Sequence, residues 1–154
     1  MLRKDREIAD FQEIVAVLER CDTLRLGLFG SEYPYVVPIS FGLIVEGTKI
    51  TIYFHGGQRG YKNELLAKNA KACVEGDIFI KVEPTEHGIT TRYESIIGFG
   101  EVEIVEGEEK LKALQSIVSH YDFPEYPVKD CQGFPAVRAY KMVLKQITGK
   151  HNLK

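Results

Sequence analysis

"IYFHGGQRGYKNELL", residues 52–66, changes character twice within one short stretch. Ile52 and Phe54 alternate with Tyr53 and His55, the period of two expected of a strand with one buried face. Three glycines, Gly56, Gly57 and Gly60, break that run, and two cations, Arg59 and Lys62, stand among and just beyond them. From Tyr61 the spacing turns helical, with Leu65 and Leu66 directed inward. Glycines let backbone N–H groups approach an anion closely, and a helix N-terminus aims further N–H groups and partial positive charge at the same point. With two full charges added, this junction has the chemistry of a phosphomonoester site made without a P-loop. An ordinary strand-to-helix turn with solvated cations fits the same residues.

Upstream, Asp10 followed by Glu13 has the spacing of a capping box, and Phe11, Ile14, Val15 and Leu18 predict a helix running to about Cys21. Leu24, Leu26 and Leu28 then alternate as in a strand. "YVVPISFGLIVE" (35–46) reads as one β run, and "EGTK" as the hairpin turn leading into the opening stretch. Downstream come two strands, "KACVEGDIFIKVE" and "TTRYESIIGFGEVEIVE". A helix with Leu111, Leu114, Ile117 and Val118 on one stripe follows, then a last strand, "AVRAYKMVLKQITGK". The order α-βββ-α-ββ-α-β, with six or seven strands, runs strands consecutively and disfavours a doubly wound parallel sheet. The expectation is one domain spanning 1–154: mainly β, a mostly antiparallel β-barrel with flanking helices.

With 154 residues and a net charge of −2, the chain can bury a core and lacks the basic excess of a generic nucleic-acid binder. Cys21, Cys73 and Cys131 have no CxxC spacing and read as reduced thiols, the first two buried and the third in a loop, which points to the cytoplasm. The charged N-terminus "MLRKDREIADFQEIV" reads as neither signal peptide nor anchor, and no apolar run approaches the ~20 residues of a membrane span.

Several motifs fail on inspection. "GFGEVE" (98–103) lacks the third glycine of a dinucleotide fingerprint and continues as strand, so its glycines read as sheet bends. "GGQRGYK" is no Walker A loop, because Tyr61 follows Gly60. Histidines 55, 87, 120 and 151 show no metal-ligand spacing, and Ser95 in "RYES" has no nucleophile elbow around it. No residue declares itself a catalytic acid or base.

A second place supports a site. In "VVPISF", Pro38 cannot donate a ladder hydrogen bond, so its strand lies at an edge or is bulged. Free backbone groups at Pro38, Ile39 and Ser40, with the Ser40 hydroxyl, suit the polar edge of a flat heterocycle. An edge strand with a bulge and no ligand explains the same residues.

Taken together, "DREI", "YPYVVPISFG", "IYFHGGQRGYKNELLAKNAKACVE", "YESIIGFGEVEIVE" and "ITGK" resemble, in order and along nearly the whole chain, the pyridoxamine 5′-phosphate oxidase-like flavoproteins, and within them the nitroimidazole-resistance (Nim) branch. The resemblance implies a split β-barrel binding FMN at a homodimer interface. It places the FMN phosphate at Arg59 and Lys62, the segment Phe54, His55, Gly56 and Gly57 against the flavin, Pro38, Ile39 and Ser40 along its ring, and Ser95 as a contact from a neighbouring strand. Its activity would be oxidoreductase chemistry on a small electrophile such as a nitroaromatic compound. The sequence closes at "TGKHNLK" without the long C-terminal substrate-binding extension of the true oxidases, which argues against the vitamin B6 reaction. Two rival readings share the barrel: haem or another tetrapyrrole with a histidine axial ligand, and a non-catalytic flavin-binding sensor.

Overall fold

The computed structural model describes residues 2–153. Its elements run β1 (Glu7–Ile8), α1 (Phe11–Arg20), β2 (Leu24–Leu28), β3 (Tyr35–Ile39), β4 (Phe41–Glu46), β5 (Lys49–Gly56), α2 (Tyr61–Lys68), β6 (Lys71–Thr85), β7 (Gly88–Val105), α3 (Gly107–His120) and β8 (Arg138–Asn152). Every strand pairing is antiparallel, in the order β3-β2-β6-β7-β8-β5-β4, with β1 added on β8. Strand β8 is the hub, since it pairs with β7 along most of its length, with β5 near its start and with β1 near its end.

The run 35–46, read from sequence as one strand, is two. Ser40 alone separates β3 from β4, and these are the opposite edges of the sheet. One residue therefore links the two edges, and the sheet must curl into a barrel to satisfy that link. Pro38 falls in β3, which pairs on one side only, the position where a residue without an N–H is tolerated.

Alternation fills the barrel. Leu24, Leu26, Val74, Ile96, Phe54 and Tyr140 point inward and are buried together. Helix α1 adds Ile14, Val15, Val17 and Leu18 to that core, and its first turn is capped by Asp10, whose Oδ1 accepts from the Glu13 amide at 3.0 Å. Helix α3 covers the outside of β4 and β5, building a second apolar cluster from Tyr53, Val105, Ala113, Leu114, Ile117 and Ala139. Gly98 and Gly100 lie within β7, and the β7–β8 register shifts beside them, where Phe99 pairs with Gln146 and Gly100 with Leu144, so that Lys145 of β8 is the bulged residue.

Cys21 is buried and Cys131 exposed, as read from sequence, but Cys73 is only half-buried, because Ala72 and Val74 take the inward positions of β6. Among the described residues, no helix is long and apolar enough to cross a membrane.

Candidate functional site

Strand β5 ends at Gly56, and the loop 57–60 delivers the chain into α2. Gly60 is the N-cap of α2 at φ +138°, a conformation L side chains rarely adopt, and it has no side chain to satisfy the first helical amides. The start of α2 thus offers uncapped N–H groups.

Lys62, in the first turn, folds back over the barrel mouth. Its Nζ donates to the His55 carbonyl at 3.2 Å and lies 5.3 Å from the Phe54 ring centroid and 5.4 Å from that of Tyr140. Those two rings stack at 4.9 Å, forming the floor under the ammonium. Among the described residues no carboxylate pairs with Lys62. Burial lowers its pKa below the ordinary lysine value. A half-buried ammonium with one backbone acceptor is electrostatically under-satisfied and fits an anion.

The loop is fixed by a short relay. Asn63 Nδ2 donates to the Gly57 carbonyl at 3.0 Å, and the Tyr140 hydroxyl donates to Asn63 Oδ1. Register adds a further cation, because Arg138 of β8 stands opposite Gly56, on the strand face that carries Tyr140. Asn63, Tyr140 and Arg138 were not expected from the sequence. The β5–β8 register that assembles them joins segments far apart in the chain, and no local pattern signals it.

Gly56 and Gly57 line the cradle. Arg59 is on the exposed loop beside it, with no ion pair among the described residues. Phe54 is fully buried and contributes its ring as floor. His55 meets Lys62 through its carbonyl, while its ring, by strand alternation, projects to the face opposite Phe54 and Gly56. His55 remains exposed, and partial desolvation beside the loop, then the Lys62 charge, lowers its pKa.

The β4–β5 pairing ends at Phe41 and Phe54, so Ser40 and His55 are the next residues on each strand. Sequence-distant candidates Ile39 and Ser40 are thereby brought to the glycine loop, with the Ile39 side chain in the core and Ser40 exposed. Ser95 is not brought there by its own chain. It pairs with Lys150, eleven positions along β8 from the Ala139 partner of His55, and its Oγ donates to the Lys150 carbonyl at 3.4 Å. Among the described residues, no His, Cys, Asp or Glu cluster suited to a metal is present.

The family model described as pyridoxamine 5′-phosphate oxidase matches residues 10–151. The chain belongs to the pyridoxamine 5′-phosphate oxidase family. This oxidase-family chain is similar to the solved structure of a candidate 5-nitroimidazole antibiotic resistance protein from Bacteroides thetaiotaomicron. The two share 32% identity over 94% of this chain and 86% of that one, with a TM-score of 0.81. The split-barrel fold recurs in an FAD- and haem-binding protein from Mycobacterium smegmatis (TM-score 0.79, 17% identity, covering 96% of this chain and 73% of that one). It recurs also in the flavocytochrome Anf3 from Azotobacter vinelandii (TM-score 0.76, 16% identity, 96% and 70%). None of the curated proteins compared by sequence matches this family member.

Proposed function

We propose that the chain is an FMN-binding flavoprotein that reads the cofactor's phosphate with the cradle at Gly56–Lys62. It works as a cytoplasmic homodimer that passes electrons from a nicotinamide or protein donor to a small electrophile such as a nitroaromatic compound. The observation that carries this reading is the Lys62 ammonium, set over two stacked rings beside an uncapped helix start without a carboxylate partner. FMN supplies the redox chemistry when bound, and the chain supplies binding and orientation. Lys62 and Arg59 neutralise the phosphate, the loop amides shape its seat, and the Pro38–Ser40 backbone meets the polar ring edge. The family membership and the name of the Bacteroides relative support the nitro-compound assignment.

Titration of FMN and riboflavin against wild type, Lys62→Ala and Arg59→Ala, read by flavin fluorescence quenching, tests the assignment. A charge-assisted hydrogen bond contributes roughly 1.5–3 kcal/mol, so Lys62→Ala should lose roughly 10- to 100-fold in FMN affinity. Riboflavin, lacking the phosphate, should bind the variant nearly as it binds wild type. Equal loss of both flavins would mean that the stretch shapes the barrel and reads no phosphate. Two structural neighbours are named for haem as well as flavin, and the absorbance of purified protein separates these outcomes: a Soret band in place of flavin maxima refutes the FMN reading. Turnover with a panel of reductants and acceptors then separates an enzyme from a flavin-binding sensor.

A further inference from the structure

Ser40 alone joins the two edges of the sheet, and the residues on either side of it are anchored to one short segment. Before it, Ile39 pairs with Leu24 at the start of β2. After it, the Phe41 amide donates to the Tyr121 hydroxyl at 3.4 Å, and that hydroxyl donates in turn to the Asp22 carbonyl at 2.6 Å. His120 adds a second grip. Its Nε2 lies 2.8 Å from the Cys21 carbonyl, an oxygen that can only accept, and its ring centroid stands 4.2 Å from that of Phe41. Two consecutive residues at the end of α3 thus fasten Phe41 to Cys21 and Asp22, just ahead of the Leu24 that pairs with Ile39.

Helix α3 stops at the residue that makes this reach. Tyr121 is its C-cap, and the chain leaves through bonds from the Phe123 amide to the Val118 carbonyl at 2.9 Å and from the Asp122 amide to the Ser119 carbonyl at 3.2 Å. Asp122 has φ +66°, the one positive φ outside glycine among the described residues, at a position where such a helix end ordinarily carries glycine.

The Phe41 amide depends on that hydroxyl. Phe41 is wholly buried and β4 pairs only with β5, so an N–H that turns to Tyr121 has no second strand to receive it. A phenyl ring at position 121 would leave this N–H buried without a partner. The Ser40–Phe41 peptide unit is planar and trans, so the bond that fixes its N–H also fixes the Ser40 carbonyl.

We propose that Tyr121 is a positioning residue for the ring end of the flavin: acting through Phe41, its hydroxyl holds the Ser40 peptide group against the polar edge of the ring. The proposal rests on the flavin reading above and adds a second control point, remote from the phosphate. Lys62 acts on the phosphate, which riboflavin lacks, whereas Tyr121 acts on the ring, which both flavins share. Hydrogen bonds at the ring edge also tune the electronics of the bound cofactor, so a displaced Ser40 alters the flavin's visible spectrum as well as its affinity.

Tyr121→Phe tests the assignment, because it removes the hydroxyl and keeps the ring beside His120. FMN and riboflavin should both bind roughly 3- to 10-fold more weakly, the scale of one neutral hydrogen bond, and the visible band of bound flavin should shift. Leu111→Ala, on α3 but away from the crossover, serves as the stability control and should retain both affinities and the wild-type spectrum. In wild type, FMN should slow hydrogen exchange at the Phe41 amide, a measurement that stands even where the Tyr121 variant does not fold. Wild-type affinities and spectrum in Tyr121→Phe overturn the positioning role, as does loss of FMN affinity alone. Equal losses in Leu111→Ala, or Phe41 exchange unchanged by FMN, overturn it too. A wild type that binds neither flavin overturns the flavin reading itself.

Discussion

Gly56 leaves the space that Lys62 occupies: a Cβ on Gly56 would stand 2.9 Å from the Lys62 ammonium and 3.4 Å from its Cε. The opposed atoms are the far end of a flexible side chain, so Gly56→Ala should move the lysine and spare the fold. Thermal stability should change little, while FMN affinity falls roughly 3- to 10-fold through misplacement of one charge-assisted bond. Paired melting curves and FMN titrations check both halves of that expectation.

The pH dependence of the cofactor-free protein follows from His55. Its folded pKa lies below the unfolded value near 6.5 through partial desolvation and then the Lys62 charge, and because His55 stays exposed at the strand end its share of the stability is small. As pH falls below 6.5 the unfolded chain takes up the proton first, so stability present above that pH declines toward the lower folded pKa. Melting temperature should drop over this window, and His55→Asn should flatten the drop. An identical profile in the variant would remove His55 as its source.

Gly42 makes a different demand. A Cβ there would lie 2.5 Å from the Ser116 carbonyl carbon and 2.6 Å from the Ile117 amide nitrogen, both backbone atoms of α3. Neither can yield without lifting the helix off β4. Gly42→Ala should therefore destabilise the fold by roughly 1–3 kcal/mol, measured by urea unfolding. Trimming Ser116 to glycine should fail to rescue it, because the obstruction is main chain.

The three thiols should separate by rate. Cys131 is exposed and should react first, whereas burial of Cys21 pushes its pKa up to about 11 and leaves almost no thiolate at neutral pH. Mass spectrometry during limited labelling should show Cys131 modified with FMN binding intact. Flavin loss in step with Cys131 modification would contradict the placement of the site.

What the sequence disclosed was local. The period of two in Leu24–Leu28, the Asp10 cap and the glycine-to-helix junction before Lys62 each depend on near neighbours in the chain, and each is present as read. Register was the missing quantity. It decides that Ala72 and Val74 face inward and Cys73 outward, that Tyr140 lies under Lys62, and that the His55 ring turns away while its carbonyl serves. The break at Ser40 was hidden for another reason: the run from Tyr35 to Glu46 is continuously β-forming, and its division reflects which edges of the sheet must meet.

The placement of β8 governs the order of assembly. During synthesis, β5 and β7 leave the ribosome with exposed edges, because the strand that lies between them, and against β1, is made last of the three. Without residues 138–152 the native ladders reduce to β3–β2–β6–β7 and the β4–β5 hairpin, with no ladder between them. Barrel closure therefore waits for β8 and joins strands far apart in the chain, an event of high contact order expected on the millisecond-to-second scale of non-local β folds, and until it occurs the unpaired edges are the chain's point of exposure to aggregation.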